Sequence, residues 1–308
     1  MEMHPLVSVI IPCYNVAAYI ERAVLSILNQ TYPRLEIFLI DDASTDDTLL
    51  KIKSFQDERV NVIELKENTQ KIGAVNIALS ACTGDLIAFQ DADDWSEFNR
   101  IELQVSQFRN LTKLGICFTN YKYVNLRHSV PNNIALTDKE LKDEFLKFGY
   151  NNSKHLEPTM CATMMISRAV LTETNGYHPY FAGRVAEDIY WVYKILKKYK
   201  GIAINKPLYN INSRDGSLTQ LQHAGKNAKS AYSWQLLSKI IYKDMHEHLD
   251  VLSPDHINEL RKLELEACEE ALLKAIRSTV ETKNSYENST SFRLGRFITS
   301  CFHFLKLK

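Results

Sequence analysis

Short apolar runs alternate with amphipathic segments through the N-terminal third of the chain. The apolar runs predict four buried strands, Leu6–Ile11, Leu35–Ile40, Val60–Leu65 and Leu86–Phe89. The segments between them carry apolar residues at helical spacing, as in the stretch that begins at Val16. Strands that alternate with helices predict an α/β fold, in which a mostly parallel sheet is covered by helices on both faces.

The pattern is mixed up to about residue 225 and wholly helical after it. Strands are predicted at Leu114–Thr119 and Met164–Ser167, and a helix at Asp188–Tyr199. The polar segment Thr282–Ser291 is typical of a linker, and Phe292–Lys308 alternates apolar with basic residues. We therefore expect three regions: a main domain at 1–225, a helical extension at 226–281, and a linker with a basic amphipathic tail at 282–308.

Composition and charge narrow the functional classes. Among the 308 residues, Lys+Arg and Asp+Glu balance at 37 each, so no bulk field attracts nucleic acid. The six cysteines are scattered, which favours reduced thiols in the cytoplasm. The start of the chain lacks a signal-peptide pattern, and no uncharged apolar stretch is long enough to span a bilayer. These features predict a cytoplasmic protein.

The basic tail allows two interpretations. A basic amphipathic segment can lie on an anionic membrane surface, which would place the protein peripherally on the inner face of the plasma membrane. The same pattern fits a helix that docks on the body of the protein. The sequence leaves both open.

Three carboxylates follow the fourth predicted strand within four positions, in Asp91-Ala92-Asp93-Asp94, which we call the acidic turn. Like charges packed this closely make each other harder to ionise, and a bound cation or ligand removes that cost. Oxygen ligands favour a hard divalent ion, Mg²⁺ or Mn²⁺, which commonly bridges substrate phosphates. The alternative is a solvated turn that caps the next helix, with Ser96 as N-cap.

Two other predicted strands end in polar loops, Pro12-Cys13-Tyr14-Asn15 and Asp41-Asp42-Ala43-Ser44. In such sheets ligands bind outside the carboxyl ends of the strands, so both loops should meet the acidic turn in one cleft. Tyr14 can stack on a base, and Asp41 and Asp42 can accept from a ring N–H and a ribose hydroxyl. Alternatively, Tyr14 is a rim aromatic and the two aspartates prepare a helix cap at Ser44. The sequence lacks a dinucleotide or Walker-type glycine loop, and the loops favour a nucleoside-diphosphate site.

The order and spacing of the segments 7–15, 41–48 and 89–95 resemble the large family 2 of inverting glycosyltransferases. The resemblance covers about residues 5–215 and points to bacterial surface-polysaccharide enzymes. It implies the GT-A fold, which is a mostly parallel, mixed sheet flanked by helices. A helical C-terminal extension follows here.

The resemblance also implies roles for the strand-end residues. Asp42 would hydrogen-bond the base of a nucleotide sugar, and Asp91 would approach the ribose. Asp93 would ligate the divalent metal that bridges the diphosphate, and Asp94 would be oriented towards the donor sugar. Three further residues would line the nucleotide pocket: Pro12, Tyr14 and Asn15.

Two later segments, 175–177 and 186–189, resemble the glycine turn and the Glu-Asp pair of the family. By resemblance, Asp188 is the catalytic base that takes the proton of the acceptor hydroxyl as its oxygen attacks the anomeric carbon. Glu187 would contact or orient the acceptor. The alternative is that both are acids favoured by a helix N-terminus.

The chain departs from the family pattern where positive or flexible residues are usual. Gln70 stands in place of a glycine and Val75 in place of an arginine, and we expect Gly73 to supply the flexibility at a shifted position. The segment around Asn212 resembles a flexible loop, and Asn212 stands where a histidine is expected. Arg214 is expected to compensate by its charge, since a guanidinium suits phosphate.

These features predict a metal-dependent, inverting hexosyltransferase that uses a nucleotide sugar. Among the nucleotide sugars, a UDP-sugar is the favoured donor. The acceptor would be a hydroxyl of a glycan or of a lipid-linked acceptor on the cytoplasmic side of the membrane. A nucleotidyltransferase is disfavoured because it typically needs a loop rich in glycine and lysine after its first strand. A catalytically inactive sugar-nucleotide-binding or scaffold protein is the alternative, and the intact Asp91, Asp93 and Asp188 argue against it.

Overall fold

The computed structural model describes residues 4–124, 137–143, 161–184, 187–213 and 228–288. Within these residues lies one sheet of eight strands. The strands, in chain order, are β1 Val7–Cys13, β2 Leu35–Asp41, β3 Val60–Glu64, β4 Leu86–Phe89, β5 Trp95–Ser96, β6 Leu114–Val124, β7 Met165–Ser167 and β8 Lys200–Asn212.

Helices cover both faces of the sheet. In the described residues they are α1 Ile20–Leu28, α2 Thr48–Lys53, α3 Gln70–Ala81, α4 Arg100–Asn110, α5 at 138–143, α6 Arg168–Thr174, α7 Glu187–Lys198, α8 Ala228–His246 and α9 Ile257–Asn288. The predicted cap at Ser44 is not the start of α2. That helix begins at Thr48, because Asp46 Oδ1 accepts the amide of Thr48 at 3.0 Å.

The sheet is mixed, with the strand order β3-β2-β1-β4-β7-β6-β8-β5. The first four in this order are parallel to one another, β7 is antiparallel to both of its neighbours, and β6 and β8 are parallel. The predicted α/β fold with a mostly parallel, mixed sheet is thereby confirmed. Because β1 lies between β2 and β4, the loops that follow these three strands leave the same edge side by side.

Alternate residues of β1 fill two cores on opposite faces of the sheet. Val9 and Ile11 belong to the core that includes Ile20 of α1, whereas Ile10 belongs to the core that includes Val75 of α3 and Trp191 of α7. All six side chains are buried. Burial of each large apolar side chain contributes about 1.5–3 kcal/mol to stability, which holds the strand ends in fixed positions.

The predicted helical extension consists of α8 and α9, which pack against each other. Lys239 and Lys243 of α8 pair with Glu270 and Glu259 of α9, each at 2.8 Å. The predicted linker starts inside α9, which continues to Asn288, and residues 282–288 include no proline or glycine that would end the helix. The domain boundaries stay predictions, and the tail lies outside the described residues. Among the described helices, none combines the length and hydropathy that crossing a membrane requires.

Candidate active site

The loops after β1 and β2 are fastened to each other. The amide of Asn15 donates to Ser44 Oγ at 3.1 Å, and Asn15 Oδ1 accepts the amide of Thr45 at 2.8 Å. The amide of Asp42 donates to the carbonyl oxygen of Cys13 at 2.9 Å. Asn15 adopts a left-handed conformation with φ 51°, which asparagine tolerates better than most residues. The two loops meet, as their positions at neighbouring strand ends predict.

An open aromatic ring lies beside buried carboxylates at this edge. Tyr14 is 49% exposed and Pro12 is partly buried. Asp41 and Asp42 are both buried. Asp41 Oδ2 accepts the amide of Ser44 at 3.1 Å, while its Oδ1 is buried and has no hydrogen-bond partner within the described residues. The arrangement leaves the ring of Tyr14 accessible to a planar ligand, and the nucleotide roles of these residues stay predictions.

Asp42 also fixes the start of α3. Its Oδ1 accepts from the amide and the hydroxyl of Thr69 at 2.7 and 2.9 Å, and the Asn68 side chain donates to its carbonyl oxygen at 3.2 Å. Gln70 itself adopts the left-handed conformation, with φ 63°. The expectation that Gly73 supplies this flexibility is therefore wrong. Gly73 lies inside α3, where the Thr69 side chain occupies the space that a Cβ would need.

The acidic turn has the expected place, directly after β4, and its carboxylates have different partners. Asp91 Oδ1 accepts from Lys71 Nζ at 2.8 Å, and Asp94 Oδ1 accepts the amide of Asn212 at 2.8 Å. Burial raises the pKa of Asp94 well above its ordinary value, and the charges of Asp91 and Asp93 raise it further. The turn is therefore a place of unfavourable negative charge, which a bound cation would relieve.

Ser96 does not cap the next helix. It belongs to β5, and its hydroxyl donates to Gln90 Oε1 at 2.6 Å. The helix α4 begins only at Arg100, after Asn99. The interpretation of the acidic turn as a helix cap through Ser96 is thus wrong, because tertiary contacts hold this serine.

The predicted flexible loop around Asn212 is in part a strand. Residues 209–212 are the end of β8, which pairs with β5 through Trp95 and with β6 through Val124. The amide of Asn212 holds Asp94, at the position where a histidine was expected. Arg214, the predicted compensating cation, lies outside the described residues.

Arg100 lies fully buried behind the acidic turn. Its Nη2 donates to the carbonyl oxygens of Phe89 and Ala162 at 2.8 and 3.1 Å, and its Nη1 donates to Ser96 Oγ at 2.9 Å and to Gln90 Oε1 at 3.3 Å. Burial lowers the pKa of Arg100 to about 10. One guanidinium thus holds the residues on both sides of the acidic turn. No motif in the sequence points to this role.

The Glu187–Asp188 pair begins α7 and is partly buried. Asp188 Oδ1 accepts the amide of Ile189 at 2.8 Å. Burial and the charge of Asp188 raise the pKa of Glu187 to about 7. Burial also raises the pKa of Asp188, against the opposing charge of Lys71. A helix N-terminus alone would lower both pKa values, so burial outweighs the helix at this pair. The catalytic and acceptor roles of the two residues stay predictions.

Asn76 fixes the segment that leads to this pair. Its Oδ1 accepts the amide of Tyr177 at 3.0 Å, and its Nδ2 donates to the carbonyl oxygen of Tyr177 at 2.9 Å. The adjacent Gly176 has φ 80°, and a Cβ there would lie 2.7 Å from Asn76 Oδ1. Only glycine fits this approach. The hydrogen bonds between Asn76 and the glycine turn therefore connect α3 to the segment that precedes α7.

Comparison with known proteins identifies the family. The protein-family model for glycosyl transferase family 2 matches residues 8–174 of this chain. The UDP-Glc:alpha-D-GlcNAc-diphosphoundecaprenol beta-1,3-glucosyltransferase WfgD of Escherichia coli is 31% identical over 200 residues, which cover 65% of this chain and 73% of that protein. The putative teichuronic acid biosynthesis glycosyltransferase TuaG of Bacillus subtilis is 40% identical over 119 residues, which cover 38% of this chain and 47% of that protein. The chain thus matches about half the length of TuaG.

Solved structures of low sequence identity share the fold. TarS 1-349 of S. aureus, in complex with UDP, has a TM-score of 0.59 at 17% identity and covers 92% of this chain and 91% of its own. The mannosyltransferase PcManGT from Pyrobaculum calidifontis, in complex with GDP-Man and Mn²⁺, has a TM-score of 0.56 at 16% identity and covers 97% and 85%. Since the family model matches more than half of the chain, this protein belongs to glycosyl transferase family 2 and is a glycosyltransferase with the GT-A fold.

Proposed function

We propose that this chain is a metal-dependent, inverting glycosyltransferase that moves a hexose from a nucleotide sugar to a hydroxyl group. One observation carries the proposal: the Glu187–Asp188 pair and the acidic turn act on each other electrostatically. Burial raises the pKa of Asp188, the charge of Lys71, the ion-pair partner of Asp91, lowers it, and the charge of Asp91 raises it. The same lysine thus acts on a carboxylate of the acidic turn and on a carboxylate outside it, which supports a role of Asp188 beside a donor bound at the turn.

Asp188 is the proposed catalytic base. In an inverting transfer it takes the proton of the acceptor hydroxyl, whose oxygen forms the new bond to the anomeric carbon. The bond from that carbon to the diphosphate breaks, and the nucleoside diphosphate leaves with the electron pair. Because burial raises the pKa of Asp188, its ionised form is a stronger base than an ordinary aspartate.

Glu187 is the proposed contact for the acceptor, next to the base Asp188. Its pKa of about 7 means that a fraction of the molecules carry a protonated Glu187 at neutral pH. A protonated carboxyl can donate a hydrogen bond, which an ionised one cannot. We assign Glu187 to contact with the acceptor and to its orientation beside Asp188.

Asp93 is the residue that would hold the metal, Mn²⁺ or Mg²⁺. A divalent ion there supplies positive charge to the departing diphosphate. The oxygen ligands of the acidic turn fit such an ion, and the raised pKa of Asp94 supports a cation at this turn. The described ranges contain no group of three or more His, Cys, Asp or Glu side chains able to hold a metal alone. The diphosphate would therefore complete the coordination.

The donor is assigned as a UDP-sugar. Support comes from the name of the E. coli relative, a UDP-Glc glucosyltransferase, and from the TarS complexes with UDP and UDP-GlcNAc. In this assignment Tyr14 stacks on the base, with Pro12 and Asn15 beside it, and Asp42 hydrogen-bonds the base. Asp91 approaches the ribose, and Asp94 faces the donor sugar.

The acceptor is assigned as a glycan or a lipid-linked glycan. The name of the E. coli relative includes a diphosphoundecaprenol acceptor, and that of the B. subtilis relative includes teichuronic acid biosynthesis. An acceptor of this kind would place the reaction at the cytoplasmic face of the plasma membrane, where the tail Phe292–Lys308 would contact anionic lipid.

A panel of nucleotide sugars tests the proposal. UDP-glucose, UDP-galactose, their N-acetyl forms and GDP-mannose are each incubated with the protein, with and without Mn²⁺, and binding and donor hydrolysis are measured. We expect one UDP-sugar to bind and to be hydrolysed in a Mn²⁺-dependent manner. Binding of a nucleotide sugar without hydrolysis, and without transfer of the sugar when acceptor extracts are added, would instead support a catalytically inactive binding protein. Identical binding without the metal would remove the metal role of Asp93.

A further inference from the structure

Lys71 is a cation beside the acidic turn of the candidate active site. It lies in the first turn of α3, and its Nζ is 2.8 Å from Asp91 Oδ1. The Lys71 side chain is 39% exposed and that of Asp91 is 29% exposed. Both groups of this ion pair are therefore partly accessible to solvent and to a ligand at the acidic turn.

The backbone of Lys71 is firmly held although its side chain is accessible. Asp42 accepts two hydrogen bonds from Thr69, two residues earlier. Gln70 has a left-handed conformation, and its side chain lies against Gly183, where an added Cβ would be 3.1 Å from Gln70 Oε1. The first turn of α3 thus contacts both the loop after β2 and the segment before α7. An amine on such a turn is already oriented before a ligand binds.

The charge of Lys71 acts on both acidic groups of the site. It pairs with Asp91, and it lowers the pKa values of Glu187 and Asp188 against the effect of burial. Burial alone would lower the pKa of Lys71, but the charges of Asp91 and Glu187 are among those that raise it, so the amine stays protonated. A nucleoside diphosphate that enters this cleft meets repulsion from the carboxylates and needs a positive partner.

We propose that Lys71 binds the diphosphate of the nucleotide-sugar donor, exchanging the carboxylate of Asp91 for a phosphate oxygen. This inference rests on the proposed function, because it assumes that a nucleoside diphosphate binds at the acidic turn. A partly exposed ion pair is weak, so the exchange costs little. An ammonium group binds phosphate as a compact charge with three rotatable donors.

Calorimetric titration of UDP, UMP and uridine in the presence of Mn²⁺ tests the inference. The proteins compared are the wild type, Lys71→Met, Lys71→Arg and the control Lys198→Met. Lys198 also forms an ion pair, with Glu173 at 3.2 Å, but lies at the other end of α7, about 15 Å along the helix from Asp188. The control removes the same charge and keeps the site.

The expected result is a loss of UDP affinity of about tenfold in Lys71→Met, with uridine binding unchanged. Lys71→Arg should keep most of the UDP affinity, and Lys198→Met all of it. Equal UDP affinity in Lys71→Met and wild type would overturn the inference and leave the proposed function intact. A wild type that binds neither UDP nor any nucleotide sugar would overturn the proposed function, and this inference with it.

A second pair of ligands identifies the anion that Lys71 binds. If the partner is the diphosphate, Lys71→Met weakens UDP-glucose and UDP-glucuronate by the same factor. A loss confined to UDP-glucuronate would mean that Lys71 binds a sugar carboxylate, and it would overturn the assignment to the diphosphate. Thermal melts of all variants confirm that each is folded.

Discussion

The hydroxyl oxygen of Tyr209 accepts the backbone amide of Asp91 at 3.0 Å, although the two residues are far apart in the sequence. Tyr209 is fully buried at the end of β8, and its hydroxyl also hydrogen-bonds Asp94. The same side chain therefore fixes the first and the last carboxylate of the acidic turn. The position of the proposed donor site depends on a strand that comes more than a hundred residues later.

Tyr209→Phe should weaken donor binding without changing the size of the side chain. The Asp91 amide would lose its partner, which costs about 1–3 kcal/mol in the free energy of unfolding. We also expect the KM for the donor to rise, since Asp91 would no longer be fixed. Urea denaturation and donor kinetics provide the two measurements.

Tyr193→Phe is the matched control for this prediction. The Tyr193 hydroxyl donates to Asp244, in the contact between α7 and α8, so its loss also removes a buried hydrogen bond. We expect a similar loss of stability with an unchanged donor KM. Equal kinetic effects of the two variants would contradict the role of Tyr209 at the acidic turn.

Arg100→Met should be strongly destabilising. The substitution leaves the carbonyl oxygens of Phe89 and Ala162 buried without their donor, and we expect a loss of about 3–5 kcal/mol in the free energy of unfolding. Arg109→Met, on the exposed side of the same helix, should change it by less than about 0.5 kcal/mol. Urea denaturation measures both, and similar effects of the two would refute the structural role of Arg100.

The raised pKa of Glu187 predicts how the free energy of unfolding depends on pH. Its pKa is raised from 4.5 to about 7 in the folded protein, so between these values the native state binds a proton that the unfolded state has released. The contribution of Glu187 to stability is therefore present below pH 4.5 and is lost as the pH rises to 7. Glu187→Gln cannot lose this proton, and it should be the more stable protein at pH 8, by roughly 2 kcal/mol.

The measurement is the difference in melting temperature between Glu187→Gln and wild type at pH 4.5, 6 and 8. We expect the difference to grow in favour of the variant as the pH rises. Glu173→Gln is the control, because Glu173 is an exposed partner of Lys198 and its pKa is lowered, not raised. A constant difference across this pH range would show that Glu187 titrates as an ordinary glutamate.

Local sequence patterns were sufficient to predict the α/β fold and the acidic turn. The four apolar runs lie within or overlap β1 to β4. For β1, β2 and β4 the reason is that a strand buried on both faces needs a continuous apolar segment, whereas the edge strand β3 is only partly buried. The contact between the loops after β1 and β2 was predicted from the rule that neighbouring parallel strands end at the same edge of the sheet. These features depend on residues close together in the chain, so the sequence shows them directly.

The features that the sequence did not predict depend on distant contacts. The end of β8 contains Asn210, a residue that usually indicates a loop, yet its side chain is buried and donates to Glu97 at 3.0 Å and to the Trp95 carbonyl at 3.3 Å. Lys71 looks like an ordinary exposed helix residue until α3 packs on β1 and β2 and brings it to Asp91. Gln70 takes a conformation typical of glycine only because Asp42 and Asn68 fix the residues around it.

The catalytic role of Asp188 is the central claim, and Asp188→Asn tests it most directly. The variant keeps the shape of the side chain, and its Oδ1 can still accept the Ile189 amide. UDP binding and sugar transfer are measured on the same preparation in the presence of Mn²⁺. We predict an unchanged affinity for UDP and a kcat lower by a factor of about 10²–10⁴. Transfer at the wild-type rate would contradict the assignment of Asp188 as the base.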